Sequence, residues 1–502
     1  MNIDYFFNSL AFINPEICIS VGLVVILLLD LFLKDSKKYL PYTSILFLLV
    51  TLYYLIDQVM MMEQAFKPIG YLPMVAVDSL GTYFKIIVVV SSIFLVLFTT
   101  LSNEFEKGFE RFGEYYTLIF GMILGMFFMI SAADLILIYL SIELVSLSSY
   151  VLAGFIKTSK KSSEASLKYL LYGATSSGVM LFGISLIFGL TGSTNLYEIN
   201  RFLGMITAPN LIVFFSALLI FAGIGYKISS VPFHFWTPDV YEGAPTPITA
   251  YLSVASKAAG FALLIRFLKL GFISDVVSTG IWQTLPVFNW RDLLVVLSIL
   301  TMTLGNFAAL WQDNVKRMLA YSSIAHAGYL LAALSVQTEA GVMAVMIYFA
   351  VYLLMNLGAF LVVILINNKI NSENIDDYDG LGTSMPYLGV SLGIFLVSLT
   401  GLPPTAGFIG KLYVFLALID SNMIVLALIL LLNTVISLYY YIRVLKHMFL
   451  NKRKDEPVAV KNTLYEASVV FVLAAPVLIF GIFFTPLVNF ARTSIHFLFS
   501  AL

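Results

Sequence analysis

The stretch Gly223 to Asp239, GIGYKISSVPFHFWTPD, closes a long apolar run with a lysine, a histidine and two prolines, Lys227 standing five residues before Pro232. What a cation beside a helix breaker means depends on the solvent around that helix. The composition identifies it: of 502 residues 60% are hydrophobic and only 11% charged, far more apolar surface than a soluble core needs. The chain reads as an all-α polytopic membrane protein. A formal net charge of -1 gives no footing for nucleic acid. The single Cys18 excludes a disulfide framework and a thiolate-held metal or iron-sulfur site. The N-terminus, MNIDYFFNSLAFINPE, lacks a basic n-region and a small-residue cleavage site, so the first apolar run is expected to stay as a span.

A spanning helix needs roughly 20 apolar residues to cross about 30 Å of hydrocarbon. On that ruler fourteen helices are expected, near residues 16–33, 40–58, 78–100, 114–131, 134–155, 165–190, 211–236, 247–270, 292–310, 315–336, 340–366, 387–419, 423–449 and 466–490. The loops are short, so one membrane domain is expected; the polar segment Asn367 to Thr383 is its most loop-like insertion. Odd-numbered loops collect Lys34, Lys37, Lys38, Lys107, Arg111, Lys157, Lys160, Lys161, Lys316, Arg317, Lys369, Lys452, Arg453, Lys454 and Lys461. Even-numbered loops hold little beyond Lys67, Arg201, Lys269 and Arg291. The cation bias places odd loops on the cytoplasmic side and both termini on the other.

Internal similarity points the same way. Aligning Asp134–Leu152 with Asp313–Leu331 pairs Leu140 with Leu319 and Tyr150 with Tyr329, and the next helix pairs Tyr172 with Tyr352 and Gly178 with Gly358. Helices 5 and 10 are five apart, an odd number, so a five-helix repeat must be inverted in the membrane.

The intramembrane ionisable residues are the candidate site, because each costs roughly 3 kcal/mol or more at mid-bilayer and persists where it faces protein or water. Glu143 has Ser146 and Tyr150 on its stripe; Lys227 lies in the opening stretch; Lys257 follows Ser253 by one turn; His326 shares a stripe with Ser322 and Tyr329; Lys411 completes the set. One such residue could simply lock helices together, but five on separate helices suggest an ion path. Pro232 and the pair Pro403 and Pro404 break helices 7 and 12 near a lysine, freeing backbone groups that lipid cannot satisfy. Lys168 either feeds the path or is a solvated helix end. Asp78, Lys85 and Glu164 are expected at helix ends, snorkelling or touching headgroups. His234 is expected to serve backbone groups freed by the break, and His447 and His496 are assigned nothing. Neither a metal-ligand spacing, a nucleotide fingerprint nor a catalytic nucleophile is visible.

Three segments, VPFHFWTPDVYEGAPTPITAYLSVASKAAG, NVKRMLAYSSIAHAGYLL and GLPPTAGFIGKLYVF, closely resemble the antiporter-like membrane subunits of proton-pumping NADH:quinone oxidoreductase, respiratory complex I. The resemblance spans nearly the whole chain. It implies inverted repeats of helices 4 to 8 and 9 to 13 (residues 114–270 and 291–450), flanked by three N-terminal helices in 1–113 and helix 14 in 451–502. It also implies a coupling pair Glu143 and Lys227, a central Lys257, a connecting His326 and a terminal Lys411. The M type carries glutamate at that last place and the L type a long C-terminal amphipathic extension, so the N type is the expectation. Subunits K and M are then the implied neighbours, with FMN, iron-sulfur clusters, NADH and quinone held in other subunits of an energy-transducing inner membrane complex.

The expected mechanism is a relay. A lysine fully hydrated in water titrates near pH 10.4, and burial favours its neutral form because the charged form loses hydration. A carboxylate opposes that effect, so a loosening Glu143–Lys227 contact would pass a proton toward Lys257, His326, water and Lys411. Moving one charge against 100 mV costs about 2.3 kcal/mol, which redox chemistry in partner subunits must supply. Two other readings are a subunit of a related multisubunit cation/proton antiporter or membrane hydrogenase, and an inert membrane scaffold.

Overall fold

In the computed structural model, residues 11–33, 36–61, 73–105, 111–206, 208–276, 280–452 and 463–500 are described. The odd-loop cations Lys34, Lys107, Arg453, Lys454 and Lys461, and Lys67 of an even loop, fall outside them, as do the side chains of Lys37 and His496.

Each apolar run folds as a helix because a backbone in hydrocarbon must satisfy its own N–H and C=O groups. In chain order these are α1 (Asn14–Phe32), α2 (Ser36–Met61), α3 (Ser79–Leu101), α4 (Phe112–Ser131), α5 (Leu135–Ala153), α6 (Lys160–Thr191) and α7a (Leu211–Ile228). The short α7b (Trp236–Gly243) precedes α8 (Thr246–Phe272), α9 (Trp290–Ala309), α10 (Val315–Ser335) and α11 (Glu339–Ile370). Then come α12a (Pro386–Thr400), α12b (Ala406–Asp420), α13 (Ile424–Phe449), α14 (Leu464–Ile482) and α15 (Thr485–Ser500). Thirteen helices among the described residues can each cross a membrane. The expected twelfth span is the one missing from that count, because it is divided into two halves of 15 residues.

Both proline breaks are real interruptions, longer than a kink. The expected helix 7 stops at Ile228, where Ser229 turns left-handed (φ 61°), and the chain resumes as α7b. Helix 12 stops at Thr400, with Gly401 at φ 87°. Both gaps contain a cis X–Pro bond, Val231–Pro232 and Pro403–Pro404. The last expected helix, 466–490, also divides, since Pro486 in the first turn of α15 has no N–H with which to continue α14. Two local features were not anticipated: a π-helical turn over Leu252–Ser256 inside α8, and a small antiparallel ladder of β1 (Ile273–Val276) and β2 (Trp282–Thr284) in the loop after it. Helix α8 is buried along its whole length and α10 and α11 nearly so, whereas α1, α2 and α14 keep much of their surface outward.

Contacts between the connections establish their sides. Odd loops and helix ends meet each other: Lys161 pairs with Glu242 at 2.9 Å, Lys316 with Glu373 at 3.1 Å, and Asn368 Nδ2 donates to Leu101 O at 2.6 Å. Even ones do likewise: Ala133 N donates to Met74 O at 2.8 Å, Leu196 N to Ala133 O at 3.0 Å, and Trp282 N to Gln337 O at 3.0 Å. The alternation read from lysine and arginine is therefore geometrically consistent.

One small motif occurs on both faces. On the even side Leu135 N bonds Thr194 O and Leu196 N bonds Ala133 O, while Asp134 caps α5. On the odd side Val315 N bonds Glu373 O and Ile375 N bonds Asp313 O, while Asn314 caps α10.

Asp78 and Lys85 correct the expectation of headgroup contacts. Asp78 does cap α3 through Gly81 N at 2.7 Å, but its carboxylate grips Arg266 of α8 through both guanidinium nitrogens at 2.7 and 2.8 Å. Lys85 is buried and meets the buried Glu16 of α1 at 2.5 Å. Glu164 does lie at an exposed helix end, but there it pairs with Lys168 at 2.6 Å. Burial explains the difference: inside protein a charge needs a fixed partner, and deleting one partner leaves the other uncompensated. Glu16→Gln is expected to destabilise the protein by about 3–5 kcal/mol, seen as a lower thermal midpoint in detergent. Combining Glu16→Leu with Lys85→Met should recover most of that loss, and equal midpoints for Glu16→Gln and the parent would count against the pair's importance.

Candidate functional site

The path begins where α7a ends. Lys227 is two residues before the left-handed Ser229, and its Nζ donates to Ser146 Oγ of α5 at 3.0 Å. Glu143, one turn earlier on α5, forms no ion pair with Lys227; one carboxylate oxygen is buried without a hydrogen-bond partner among the described residues. The expected direct pair is thus a Glu143, Ser146, Lys227 arrangement with the serine against the cation. Sequence placed Ser146 on the same stripe as Glu143, but could not tell which of the two the lysine reaches.

Protein groups satisfy part of the backbone freed by the break around Pro232, while Ser229 Oγ and His234 Nδ1 stay buried without a hydrogen-bond partner among the described residues. Ser230 N donates to Gly225 O at 2.9 Å, Val231 N to Thr301 Oγ1 of α9 at 3.0 Å, and Trp236 Nε1 to Tyr226 O at 3.0 Å. Beside it Tyr150 packs edge-on to Tyr169 (4.8 Å between ring centroids), and Tyr169 stacks on Trp236 at 4.4 Å. A side chain at Gly173 would collide with the Tyr150 phenol. Tyr150 is therefore held by aromatic packing beneath the Lys227 site. His234 is buried next to the break with its ring 4.4 Å from that of Phe235.

Lys257 follows directly on the π-turn of α8, a distortion often found at functional positions. Its Nζ donates to Ser323 O at 2.8 Å and Ser323 Oγ at 2.6 Å on α10. The expected neighbour Ser253 faces elsewhere, accepting from Asn356 Nδ2 at 2.5 Å and donating to Ala250 O at 2.6 Å. The inserted turn changes the one-turn register on which the Ser253 expectation relied.

The stripe of α10 is buried as expected, and His326 uses both ring nitrogens. Nδ1 lies 2.5 Å from Tyr348 Oη of α11, and Nε2 lies 3.2 Å from Tyr441 Oη of α13. Tyr441 is in turn hydrogen-bonded to Ser322. Tyr329 accepts from Asn306 Nδ2 at 2.9 Å, and Lys411 Nζ stands 4.8 Å from the centre of its ring, a cation–π distance. Lys411 also reaches back across the helix break, donating to Thr400 O at 2.7 Å, the last residue of α12a. The two breaks are thus used differently: Lys227 precedes its break and bonds another helix, whereas Lys411 follows its break and takes a carbonyl on the far side.

Lys168 is half-exposed and bonds Asp239 and Glu164, both at 2.6 Å; Arg317 joins Asp239 at 2.6 Å and Glu242 at 3.0 Å. These residues form a charged cluster on the odd-loop side rather than an isolated solvated end. His447 pairs with Asp379 at 2.7 Å. Among the described residues no group of histidine, cysteine or carboxylate side chains could hold a metal.

Sequence reasoning therefore singled out the five ionisable residues of the candidate path and missed their neutral partners: Ser323, Thr400, Tyr348, Tyr441 and Asn306. A faint signal existed in the tyrosines, since Tyr348 and Tyr352 repeat at one turn in α11 and Tyr440 and Tyr441 are adjacent in α13. Serines and carbonyls carry no comparable mark.

Comparison with known proteins completes the assignment. Residues 132–437 match the family model described as NADH:quinone oxidoreductase/Mrp antiporter, TM. NADH-quinone oxidoreductase subunit N 2 of Chloroherpeton thalassium is 47% identical over 96% of this chain and 93% of its own. A chain of respiratory complex I from Thermus thermophilus superposes with a TM-score of 0.76 at 28% identity, covering 95% of this chain and 98% of that one. A chain of the Mrp complex from Dietzia sp. shares the fold, with a TM-score of 0.81 at 18% identity over 97% of each chain. The chain belongs to the NADH:quinone oxidoreductase/Mrp antiporter membrane family and, within it, to the N subunits of NADH-quinone oxidoreductase.

Proposed function

We propose that this chain translocates protons as part of NADH:quinone oxidoreductase, along Glu143, Lys227, Lys257, His326 and Lys411. The observation that carries this reading is that Lys227, Lys257 and Lys411 are all buried and none has a carboxylate at ion-pairing distance among the described residues. Each is held by neutral oxygens instead. A structural ion pair is fixed in charge, whereas a lysine solvated only by hydroxyls and carbonyls can lose or regain its proton as neighbouring charges change. At an effective dielectric near 20, a unit charge about 10 Å away is worth roughly 1.7 kcal/mol, more than tenfold in proton affinity. Consecutive sites can therefore drive one another. Glu143 acts on Lys227 past Ser146, and a small shift of α5 against α7a would alter that influence.

The two copies of the strand-like bridge, one on each face, support reading residues 114–270 and 291–450 as inverted repeats, with 1–113 and 451–502 added at either end. The breaks near Pro232, Pro403 and Pro404 supply backbone at membrane depth that is tolerated where it is buried in protein or lines a wet cavity. Water then completes the relay between lysines. The cation-rich odd loops support reading that side as cytoplasmic and both termini as outward, in an energy-transducing inner membrane. Subunits K and M are the proposed neighbours. FMN, iron-sulfur clusters, NADH and quinone belong in other subunits of the complex, whose redox reaction supplies the energy. The related antiporter and hydrogenase readings share the fold, but the 47% identical relative bears the oxidoreductase name.

Lys227→Ala or Lys257→Ala in the assembled complex is expected to abolish most NADH-driven proton uptake into proteoliposomes. Full pumping by both variants would leave this chain an inert scaffold. Gly401 offers a backbone test: its φ of 87° disfavours any side chain, and a Cβ there would stand 2.7 Å from Lys411 Cδ. Gly401→Ala should cost about 1–2 kcal/mol for the left-handed backbone and displace Lys411 from Thr400, lowering both the thermal midpoint and pumping. Unchanged pumping in that variant would separate Lys411 from the path.

A further inference from the structure

We infer that Tyr348 and Tyr441 are relay groups, forming with His326 and Ser322 a chain of four hydrogen-bonded side chains that carries a proton between Lys257 and Lys411 by exchange of the histidine tautomer. The inference rests on the reading of the lysines given above.

All four side chains are buried, and they come from three helices, α10, α11 and α13. The order of contacts is Ser322 Oγ, Tyr441 Oη, His326 Nε2 at 3.2 Å, then His326 Nδ1 to Tyr348 Oη at 2.5 Å. One end is next in sequence to a Lys257 ligand and the other packs against the residue before Lys411, and water would join each end to its lysine. Ser322 adjoins Ser323, which binds Lys257 Nζ. Tyr348 lies against the backbone that precedes Lys411, since a Cβ on Gly410 would meet its ring at 3.2 Å.

A neutral imidazole has one N–H donor and one bare acceptor nitrogen, and a phenol or serine hydroxyl both donates and accepts. With both ring nitrogens bonded to phenols, only two orderly arrangements exist. In the first, Ser322 donates to Tyr441, Tyr441 donates to Nε2, and Nδ1–H donates to Tyr348. In the second every bond runs the other way. A proton leaving the Lys257 ammonium, through water beside Ser323, binds Ser322 Oγ as the Ser322 proton passes to Tyr441 Oη. The Tyr441 proton forms the Nε2–H bond, the Nδ1–H bond breaks to give Tyr348 Oη–H, and the former Tyr348 proton passes through water to the Lys411 amine. Lys257 ends neutral, Lys411 ends charged, and each member of the chain keeps one proton. No lasting cation is placed on His326 between two lysines.

Such a chain carries one proton and is then reversed. A second proton in the same direction must wait until the hydroxyls turn and the ring regains its first tautomer. The four residues therefore work as a reset-dependent link as well as a wire.

Tyr348→Phe, Tyr441→Phe and His326→Gln in the whole complex test this. Glutamine keeps a donor and an acceptor but cannot exchange an N–H between them. Each variant is expected to slow NADH-driven proton uptake at least about tenfold, while native gels show the same amount of assembled complex. Wild-type uptake by His326→Gln, or by both phenylalanine variants, overturns the inference. So does a loss of uptake matched by an equal loss of assembled complex. Lys257→Ala measured in parallel separates the two levels: if it is inactive while His326→Gln pumps, only the hydroxyl chain fails, and if it also pumps, the lysine path fails with it.

Discussion

A buried lysine held by neutral oxygen is the interaction on which the proposed relay depends. Lys227 rests on a serine hydroxyl, Lys257 on a serine hydroxyl and its carbonyl, and Lys411 on the carbonyl that ends α12a. Neutral ligands replace part of the lost hydration without fixing the charge. The architecture follows from supplying them: a helix must end at membrane depth to free the Thr400 carbonyl, and a π-turn stands directly before the lysine of α8.

Two other buried cations are treated in the opposite way. Lys85 meets Glu16, and Arg266 is gripped bidentately by Asp78 while its Nε donates to Ile130 O at 2.8 Å. Those pairs tie α1 to α3, and α3 and α4 to α8. Lys85 and Arg266 are paired with charge, whereas the lysines proposed as relay sites are paired with dipoles.

Much of the fold was legible because the bilayer imposes one rule on every segment. Twenty apolar residues, a lysine-rich loop and a proline in mid-run each have few interpretations when water is absent. Helix ends were less legible: the expected 211–236 helix stops at Ile228, and the expected 466–490 helix divides before Pro486. Lys85 and Asp78 were misplaced toward headgroups because distance along one helix does not reveal what an adjacent helix brings alongside.

The sequence by itself determined the solvent, the number of spans, the alternation of loops, the two breaks and the five ionisable residues, since an apolar medium makes each polar exception conspicuous. Only the tertiary structure decided how those residues are held. It put Ser146 against Lys227 where a Glu143 ion pair was expected, exchanged Ser253 for Ser323 at Lys257, and gathered Tyr348, Tyr441 and Ser322 around His326. Serines, carbonyls and tyrosines are common in membrane helices and cost little there. Their meaning comes from which neighbouring helix faces them, and packing alone settles that.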